Sequence, residues 1–435
     1  CFLTQRSMLS FLSFIVLSLF QTHAFVSVFP SSKHRTSRRS FPARLASPHS
    51  RKSMTSTNLL DSRPFPKVPA NCVVTGSSGF VGQRLVEMLI ERGAKKVVAF
   101  DIAPPRADAW KRKEIEYVQG DISDKDAVMN LCKGADCVWH VAAAVGPYHP
   151  EEVYYKVNYE GTLHVIDACK AHGVPKLVYA SSPSTRFDGS DVDGLSEEQM
   201  PSLQTLLSKK LHLQDYAKTK AMGEVAVSEA CSDALMTVAI APHQVYGPKD
   251  NIFLPNMLEV AGQGMLRVFG NGRNRICFSH VDNYCHGLIL GEPALHPGSP
   301  ALGKFYIVTD GPTHPDPRGF AEFWRVMDAM QMHMGNPSIF AKFKLPYWLI
   351  MGVAYICSLI GWILRIQIKL NPFGVKMVRR GLVRGTRTRE QQNHPPCLSL
   401  PRSCCTQEHI FEPLSLERYI FACSLSSSKS PSPAV

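Results

Sequence analysis

The stretch N-C-V-V-T-G-S-S-G-F-V-G, residues 71–82, decides the fold of this chain. It joins a short apolar run, Cys72–Val74, to an amphipathic segment, Phe80–Glu91, which predicts a strand, a tight turn and a helix. The unpaired N–H groups at the start of such a helix can hold phosphates. Three glycines suit this role, since Gly76 permits the turn, Gly79 lets the backbone approach a pyrophosphate, and Gly82 lets helix and strand pack closely.

A glycine triplet alone also fits a surface turn, so the sequence after it matters. A second β-like run, Lys96–Phe100, ends in Asp101, 19 residues past Gly82. An acidic side chain there can bind the adenosine ribose hydroxyls, and its charge repels a 2′-phosphate. The sequence therefore predicts NAD rather than NADP as the cofactor, with Phe80 and Val81 of the turn among the residues that bind it.

From Asn71 onward, β-like and helix-like segments alternate, which predicts βαβ units. The fold class is therefore α/β, a doubly wound parallel sheet of the Rossmann type, with its ligand at the carboxyl ends of the strands. We predict strands at 72–74, 96–100, 115–118, 136–141, 176–180 and 235–240, and helices at 80–91, 124–131, 153–171 and 216–230.

Two of these strand ends carry further residues suited to the cofactor. Asp121 and Ile122 follow the third strand, where a carboxylate can accept a hydrogen bond from the adenine amino group. Ala142 and Ala143 follow the fourth strand, and their small side chains let a dinucleotide lie against the backbone.

Three polar residues then stand in the order that a redox site requires. Ser182 follows the fifth strand, and Tyr216 and Lys220 come some 34 residues later, four apart on one helix face. Only about one free tyrosine in a thousand is ionised at neutral pH, but an ammonium and a positive nicotinamide ring lower its pKa. Tyr216 is the predicted acid–base group and Ser182 the residue that positions the substrate oxygen. Standing alone, the Tyr/Lys pair would be read as a surface pair.

Composition bounds the remaining possibilities. The 435 residues are 45% hydrophobic, and the formal net charge of +12 lies in two tails. Residues 1–60 hold eight Lys/Arg and no Asp/Glu, and residues 376–435 hold nine basic and four acidic residues. Neither tail interleaves aromatics with basic residues, so no nucleic-acid partner is predicted. The thirteen cysteines form no C-x-x-C pair and the sixteen histidines no ligand grouping, which favours free thiols and no metal.

The N-terminal segment resembles a targeting signal. The chain begins at Cys1, which predicts a reading frame that extends upstream. An apolar run of signal-peptide length follows Met8, and residues 25–57 are rich in Ser and Arg without an acid, as in a transit peptide. Residues 1–60 are therefore predicted to be a targeting or disordered segment like the bipartite plastid presequence of some algae. The alternative is translation from Met54.

Taken together, the motifs resemble an extended short-chain dehydrogenase/reductase of the 3β-hydroxysteroid dehydrogenase group. Within that group the chain is most similar to the decarboxylating sterol-4α-carboxylate 3-dehydrogenases. The likeness spans about residues 70–378 and rests on T-G-S-S-G-F-V-G (75–82), R-G-A-K-K-V-V-A-F-D-I (92–102), G-D-I (120–122), V-N-Y-E-G-T (157–162), S-S (181–182), A-P-H-Q-V-Y-G-P (241–248), F-G-N-G-R-N (269–274), F-S-H-V-D-N (278–283) and Y-I-V-T-D-G (306–311).

The resemblance implies oxidation of a sterol 3β-hydroxyl, in which Tyr216 takes the proton, hydride passes to NAD, and Lys220 stabilises the phenolate and holds the nicotinamide ribose. The product, a 3-keto-4-carboxylate, would then lose carbon dioxide. The chain departs from the family pattern at Ala241, where arginine is usual. A second departure, Pro183, leaves open whether Ser181 or Ser182 faces the substrate.

From residue 70 onward the chain divides into four predicted parts. Residues 70–241 form the NAD-binding domain and 242–344 the substrate-binding part, with strands near 266–269 and 304–308 and helices near 255–263 and 317–330. Residues 345–364 lack charge over a length that spans a bilayer, which predicts a membrane segment flanked by Trp348 and Trp362; a buried helix is the alternative. Residues 379–435 are predicted to be a disordered or aberrant tail, with a frameshift or retained intron as its origin.

Other functions stay open at this stage: a 3β-hydroxysteroid dehydrogenase/isomerase, another small-molecule reductase or epimerase, or a sensor that binds NAD without catalysis. The intact Tyr216 and Lys220 argue against a sensor. The predicted partners are a sterol or steroid substrate and a membrane, and a homodimer is compatible with the sequence. The predicted location is the endoplasmic reticulum membrane or the plastid envelope.

Overall fold

The computed structural model describes residues 67–146, 149–189, 192–195, 197–310 and 321–364, and a few positions between 370 and 384. Its centre is a parallel sheet that has seven strands in the described part of the chain. In spatial order these are β11 (Phe305–Val308), β7 (Met236–Pro242), β5 (Lys176–Ala180), β4 (Cys137–His140), β1 (Asn71–Thr75), β2 (Lys96–Asp101) and β3 (Ile115–Gln119).

The strand order reverses between β1 and β4. From β1 the chain adds β2 and β3 on one side, then crosses back to add β4, β5, β7 and β11 on the other. The two central strands are in register, with Thr75 beside His140 at their carboxyl ends. The predicted doubly wound parallel sheet is confirmed, and its ligand crevice lies at this reversal.

Helices cover both faces of the sheet because successive side chains of each strand point to opposite faces. Val74, Trp139 and Val178 pack against α1 (Phe80–Glu91) and α8 (Val281–Gly291). Val73, Val138 and Leu177 pack on the other face, against α2 (Lys125–Leu131), α4 (Gly161–Ala171) and α6 (Asp215–Glu229). These apolar layers hold the strand ends, and thus the site, in fixed positions.

Two features of the sheet region differ from the prediction. The sheet has a seventh strand, β11, because residues assigned to the substrate-binding part return to pair with β7; an apolar run does not reveal its partner. The predicted helix 153–171 is broken into α3 (Glu151–Tyr154), a π-helix (Tyr155–Glu160) and α4. A π-helix adds a residue to one turn, which a hydrophobic period of 3.6 does not disclose.

Shorter elements complete the described chain. Three small sheets pair β8 (Gln244–Tyr246) with β10 (Phe278–His280), β9 (Arg275–Ile276) with β12 (Ala321–Glu322), and β6 (Val192–Leu195) with β13 (Leu382–Arg384). The other helices are α5 (Leu203–Ser208), α7 (Leu254–Gly262), α9 (Phe323–His333), α10 (Tyr347–Leu364) and 3-10 turns at Pro183–Arg186, Glu197–Gln199 and Ile339–Ala341.

The C-terminal predictions need three corrections. The strand predicted at 266–269 is only a single bridge between Phe269 and Leu345. That bridge keeps Leu345 extended, so α10 begins at Tyr347 and has 18 residues. Within the described residues no helix meets the length and hydropathy of a membrane span, so the predicted transmembrane helix is unsupported. Finally, the predicted tail contains one strand, β13, which is too short to show a hydrophobic period in the sequence. The other residues of the predicted tail, 379–435, and the predicted targeting segment, 1–60, lie outside the described residues.

Candidate functional site

The glycine turn lies against the loop that follows β4. Gly76 has a φ of +75°, and a Cβ atom built there would come within 2.7 Å of the Ala142 backbone. A Cβ on Gly82 would lie 1.9 Å from the Gly76 carbonyl oxygen, and one on Gly79 would lie 3.2 Å from it. Gly76 and Gly82 are therefore required by close backbone contact, Gly79 is in a tight but less exacting position, and the turn lies beside the loop after β4.

The start of α1 is free to bind an anion. Gly79 is its N-cap and supplies no side-chain cap to the first-turn N–H groups. The Ser77 hydroxyl in the same turn is buried and has no hydrogen-bond partner. Phe80 is buried and Val81 is partly buried at the base of the turn. Unpaired N–H donors, the positive end of the helix dipole and a spare hydroxyl fit the diphosphate of a dinucleotide.

The predicted ribose contact lies beside this turn. Asp101, the last residue of β2, is partly exposed and accepts hydrogen bonds from the Ser78 N–H at 2.9 Å and the Ala103 N–H at 2.8 Å. These bonds fix the carboxylate and leave lone pairs on both oxygens, since each can accept more than one donor. Asp101 could therefore still accept hydrogen bonds from the two hydroxyls of a ribose, and this role remains a prediction.

The remaining cofactor residues lie along the same edge of the sheet. Asp121 accepts a hydrogen bond from the Ser123 N–H at 2.8 Å, which shapes the turn after β3, and Ile122 packs against Gly161. After β4, the Ala142 N–H donates to Thr75 Oγ1 at 3.2 Å, and Ala143 is partly exposed. Their roles toward adenine and the dinucleotide backbone remain predictions.

The structure separates the two serines after β5. Ser181 is buried and its hydroxyl donates to the carboxylate of Glu224, away from the crevice. Ser182 is extended, its hydroxyl hydrogen-bonds to that of Ser184 at 2.9 Å, and it lowers the pKa of the nearby Tyr216 phenol. Pro183 begins the 3-10 turn that Ser182 caps, so it directs the chain away without displacing Ser182.

Tyr216 lies in the first turn of α6 and is partly exposed. Burial of its ring raises the pKa of the phenol, the nearby Ser182 hydroxyl lowers it, and the neighbouring Tyr154 raises it. The two tyrosine rings meet edge to face, with centroids 6.1 Å apart. In the protein without cofactor, Tyr216 is therefore protonated at neutral pH and needs positive charge nearby to act as a base.

Lys220 lies one turn further along α6 and is almost fully buried. Its ammonium donates to the Ala180 carbonyl at 2.7 Å and lies 4.0 Å above the ring of Tyr179, rather than against the phenol of Tyr216. Burial lowers the pKa of Lys220 to about 7, while the charge of Glu224 raises it. At neutral pH the charge on Lys220 is thus sensitive to its surroundings.

Sequence reasoning missed several residues that build the site. Asn158, in the π-helix, accepts a hydrogen bond from the Ala144 N–H at 2.8 Å and donates to the Ala144 carbonyl at 3.2 Å, which fixes the loop after β4. The V-N-Y-E-G-T motif was the signal for it. Arg186 and Glu224 form a buried ion pair behind Ser181; Glu224 follows Lys220 by one helical turn, but nothing in the sequence links it to Arg186. Ala241, which stands where the family usually has arginine, is buried in the apolar core between the sheet and helices α2, α4 and α6.

The reversed strand order, the glycine turn at the reversal and the Ser182–Tyr216–Lys220 set define an extended short-chain dehydrogenase/reductase. A solved structure of UDP-glucuronic acid 4-epimerase from Bacillus cereus in complex with NAD has the same fold. It superposes with a TM-score of 0.51 at 21% identity and covers 63% of this chain and 85% of that chain.

The sequence model of the 3-beta hydroxysteroid dehydrogenase/isomerase family matches residues 73–338 of this chain. The chain therefore belongs to that family. The sterol-4-alpha-carboxylate 3-dehydrogenase (decarboxylating) of Mus musculus is 30% identical over 305 residues, 69% of this chain and 78% of the relative. The 2-alkyl-3-oxoalkanoate reductase of Stenotrophomonas maltophilia is 35% identical over 240 residues, 55% of this chain and 70% of that protein. The predicted class, an NAD-dependent oxidoreductase acting on a CH–OH group, is confirmed.

Proposed function

We propose that this protein oxidises the 3β-hydroxyl of a 4α-carboxysterol with NAD and that the resulting ketone loses carbon dioxide. One observation carries the proposal: Ser182 follows β5 at the carboxyl edge of the sheet, on which the glycine turn also lies, and its hydroxyl is near enough to Tyr216 to lower the pKa of the phenol. Membership of the 3-beta hydroxysteroid dehydrogenase/isomerase family supports a steroid or sterol alcohol as the substrate class.

In this reaction the side chains of the protein act on the hydroxyl proton and the hydroxyl oxygen of the substrate. Bound NAD supplies the hydride acceptor and a positive charge. Ser182 donates a hydrogen bond to the substrate oxygen, and Tyr216, as phenolate, takes the hydroxyl proton as the C3 hydrogen leaves as hydride. Lys220 stabilises the phenolate through its charge. The balance is one alcohol oxidised to a ketone, one NAD reduced and one proton released.

The carboxylate on the neighbouring carbon governs the second step. The names of both relatives describe the same chemical unit, a carboxylate attached to the carbon adjacent to one that carries a hydroxyl or oxo group. After oxidation of such a unit, the C4–carboxylate bond breaks, carbon dioxide leaves, and its electron pair forms an enolate that takes a proton at C4. The ketone itself accepts those electrons, so no separate decarboxylation base is required of the protein.

Substrate preference tests the proposal. We expect the full-length protein to reduce NAD with a 4α-carboxy-3β-hydroxysterol at least about tenfold faster, as kcat/KM, than with the same sterol lacking the carboxylate, since one charged contact is worth that much. A 2-alkyl-3-hydroxyalkanoate and a UDP-sugar serve as comparison substrates. A higher kcat/KM for the alkanoate would assign the protein to the second relative's chemistry, and a higher kcat/KM for the UDP-sugar would remove the sterol assignment.

We further propose that α10 attaches the enzyme to a phospholipid surface. One face of this helix packs on the protein through Ile350, Ala354 and Cys357, whereas an apolar stripe on the other face is exposed: Trp348 by 74%, Tyr355 by 57%, Ile356 by 58%, Leu359 by 56% and Ile363 by 62%. An exposed apolar stripe of this length favours contact with lipid. The basic residues Arg365 and Lys369 that come next in the sequence suit anionic headgroups.

The endoplasmic reticulum and the plastid envelope remain the proposed membranes, and the homodimer remains a prediction.

Flotation with vesicles of phosphatidylcholine and phosphatidylserine tests this attachment. We expect the wild type to float with the vesicles and the triple variant Ile356→Glu, Leu359→Glu, Ile363→Glu to remain at the bottom of the gradient. The double variant Met332→Glu, Met334→Glu, which changes exposed methionines near the end of α9, is the control and should float. Flotation of the triple variant to the wild-type extent would refute the proposed lipid contact.

A further inference from the structure

A buried ion pair lies directly behind the residues proposed to react. Arg186 donates to both carboxylate oxygens of Glu224, from Nη2 to Oε1 at 2.5 Å and from Nη1 to Oε2 at 3.1 Å. The Arg186 guanidinium also lies 3.5 Å over the ring of Phe305 in β11. The two charged side chains are 12% and 4% exposed. Removing both from water is costly, so a pair kept there indicates a role beyond stability.

The pair connects the two elements that carry the reacting side chains. Ser181, next to Ser182, donates its hydroxyl to Glu224 Oε2, and Thr185 in the same 3-10 turn contacts that oxygen at 3.4 Å. Glu224 belongs to α6, as do Tyr216 and Lys220. The carboxylate therefore ties the segment after β5 to α6 at one point, while Lys220 ties them at a second through the Ala180 carbonyl.

We propose that Glu224, held by Arg186, is a positioning residue for the reaction: it fixes Ser182 relative to Tyr216 and places a negative charge beside Lys220. The inference rests on the proposed function and adds to it a residue pair that touches neither substrate nor cofactor. Glu224 follows Lys220 by four residues on the same helix face, so its negative charge lies close to the ammonium.

Few titratable side chains besides Glu224 lie near Lys220 in the described part of the chain. The other titratable side chains near Lys220 are Tyr179 in β5, His140 in β4, Tyr216 in α6 and Tyr284 in α8. Burial lowers the pKa of His140 to about 3 and raises the pKa of Tyr179, Tyr216 and Tyr284, so these four are neutral at pH 7. Among the described neighbours, Glu224 therefore supplies the formal charge that acts on Lys220.

The direction of the effect depends on these charges. In Glu224→Gln, the carboxylate that raises the pKa of Lys220 is lost, so the pKa of Lys220 falls below about 7. In the complex with NAD, the positive nicotinamide lowers the pKa of Tyr216 toward that of Lys220; there a neutral Lys220 no longer favours the phenolate, and the pKa of Tyr216 rises. We expect the rise to be about one unit or more, because a single nearby charge shifts a buried group by that amount.

Two measurements test the proposal. The ultraviolet absorbance of tyrosinate, titrated with pH in the complex with NAD and corrected with Tyr216→Phe, reports the pKa of Tyr216 without any turnover. The kcat–pH profile with NAD and a 4α-carboxysterol should show its acid-side limb displaced upward by the same amount in Glu224→Gln. Arg186→Met/Glu224→Gln should recover the unfolding midpoint of the wild type, since both charges are gone, yet keep a raised pKa for Tyr216.

Glu292→Gln is the matched control. Glu292 pairs with Lys176 at 2.5 Å at the opposite end of β5, with side chains 10% and 22% exposed. This variant should lose stability and leave both titrations unchanged. A wild-type pKa for Tyr216 in Glu224→Gln, or in the double variant, would overturn the positioning role. Absence of sterol oxidation by the wild type would instead overturn the proposed function, and the tyrosinate titration would still decide the positioning role.

Discussion

Replacing Tyr216 with Phe should lower kcat for sterol oxidation about 10³-fold, the middle of the range for loss of a positioned acid–base group. The substitution removes one oxygen from a ring whose edge-to-face contact with Tyr154 is kept, so the fold has no reason to change. NAD binding, measured by quenching of protein fluorescence, should stay within about twofold of the wild type, because no proposed phosphate contact involves the phenol.

Tyr155→Phe is the matched control for this substitution. Tyr155 begins the π-helix, is 39% exposed and contacts the ring of Tyr159 rather than that of Tyr216. Its loss of a hydroxyl should leave kcat unchanged. Equal values of kcat for Tyr216→Phe and the wild type would remove Tyr216 from the chemistry and leave the protein, at most, a binder of NAD.

Replacing Gly82 with Ala should weaken NAD binding about 100-fold, or ~3 kcal/mol. The added Cβ would lie 1.9 Å from the Gly76 carbonyl oxygen and 2.7 Å from its carbonyl carbon, both backbone atoms that cannot turn aside. The first turn of α1 must therefore move away from the glycine turn and carry the phosphate-binding N–H groups with it. Titration calorimetry with NAD gives the affinity, and the thermal unfolding midpoint of the free protein should fall as well.

The control for this variant is Gly262→Ala, at the end of α7. A Cβ there meets nothing within 4 Å, and the position needs no positive φ. The same chemical change should leave NAD affinity as it is and raise helix stability slightly, since alanine is the better helix former. If Gly82→Ala bound NAD as the wild type does, the glycine turn would not be the phosphate site.

The parts of the fold that were predictable depend on local physics. Residues 71–91 hold strand, turn and helix in one contiguous stretch, and the structure places strand β1 and helix α1 within one residue of the predicted bounds. Tyr216 and Lys220 were predictable for the same reason, because four residues on a helix fix which face they share.

The features that could not be predicted depend on contacts between distant segments. The pairing of β11 with β7 joins residues 305–308 to residues 239–242, and an apolar run does not predict which strand it pairs with. The Arg186–Glu224 pair joins residues 38 positions apart, and neither side chain has a signature of burial in the sequence. The choice between Ser181 and Ser182 likewise needed the structure, since the Ser181 hydroxyl is bonded to Glu224, whereas that of Ser182 lowers the pKa of the nearby Tyr216 phenol.

The decisive experiment on the proposed oxidation traces the hydrogen at C3. A 4α-carboxy-3β-hydroxysterol that carries deuterium at C3 is incubated with NAD and the full-length protein, and the reduced cofactor and carbon dioxide are quantified. We predict one deuterium in each molecule of reduced cofactor, an equimolar amount of carbon dioxide, and formation of both products about 10³-fold more slowly with Tyr216→Phe. Reduced cofactor without deuterium, or carbon dioxide released without reduction of NAD, would contradict the proposed reaction.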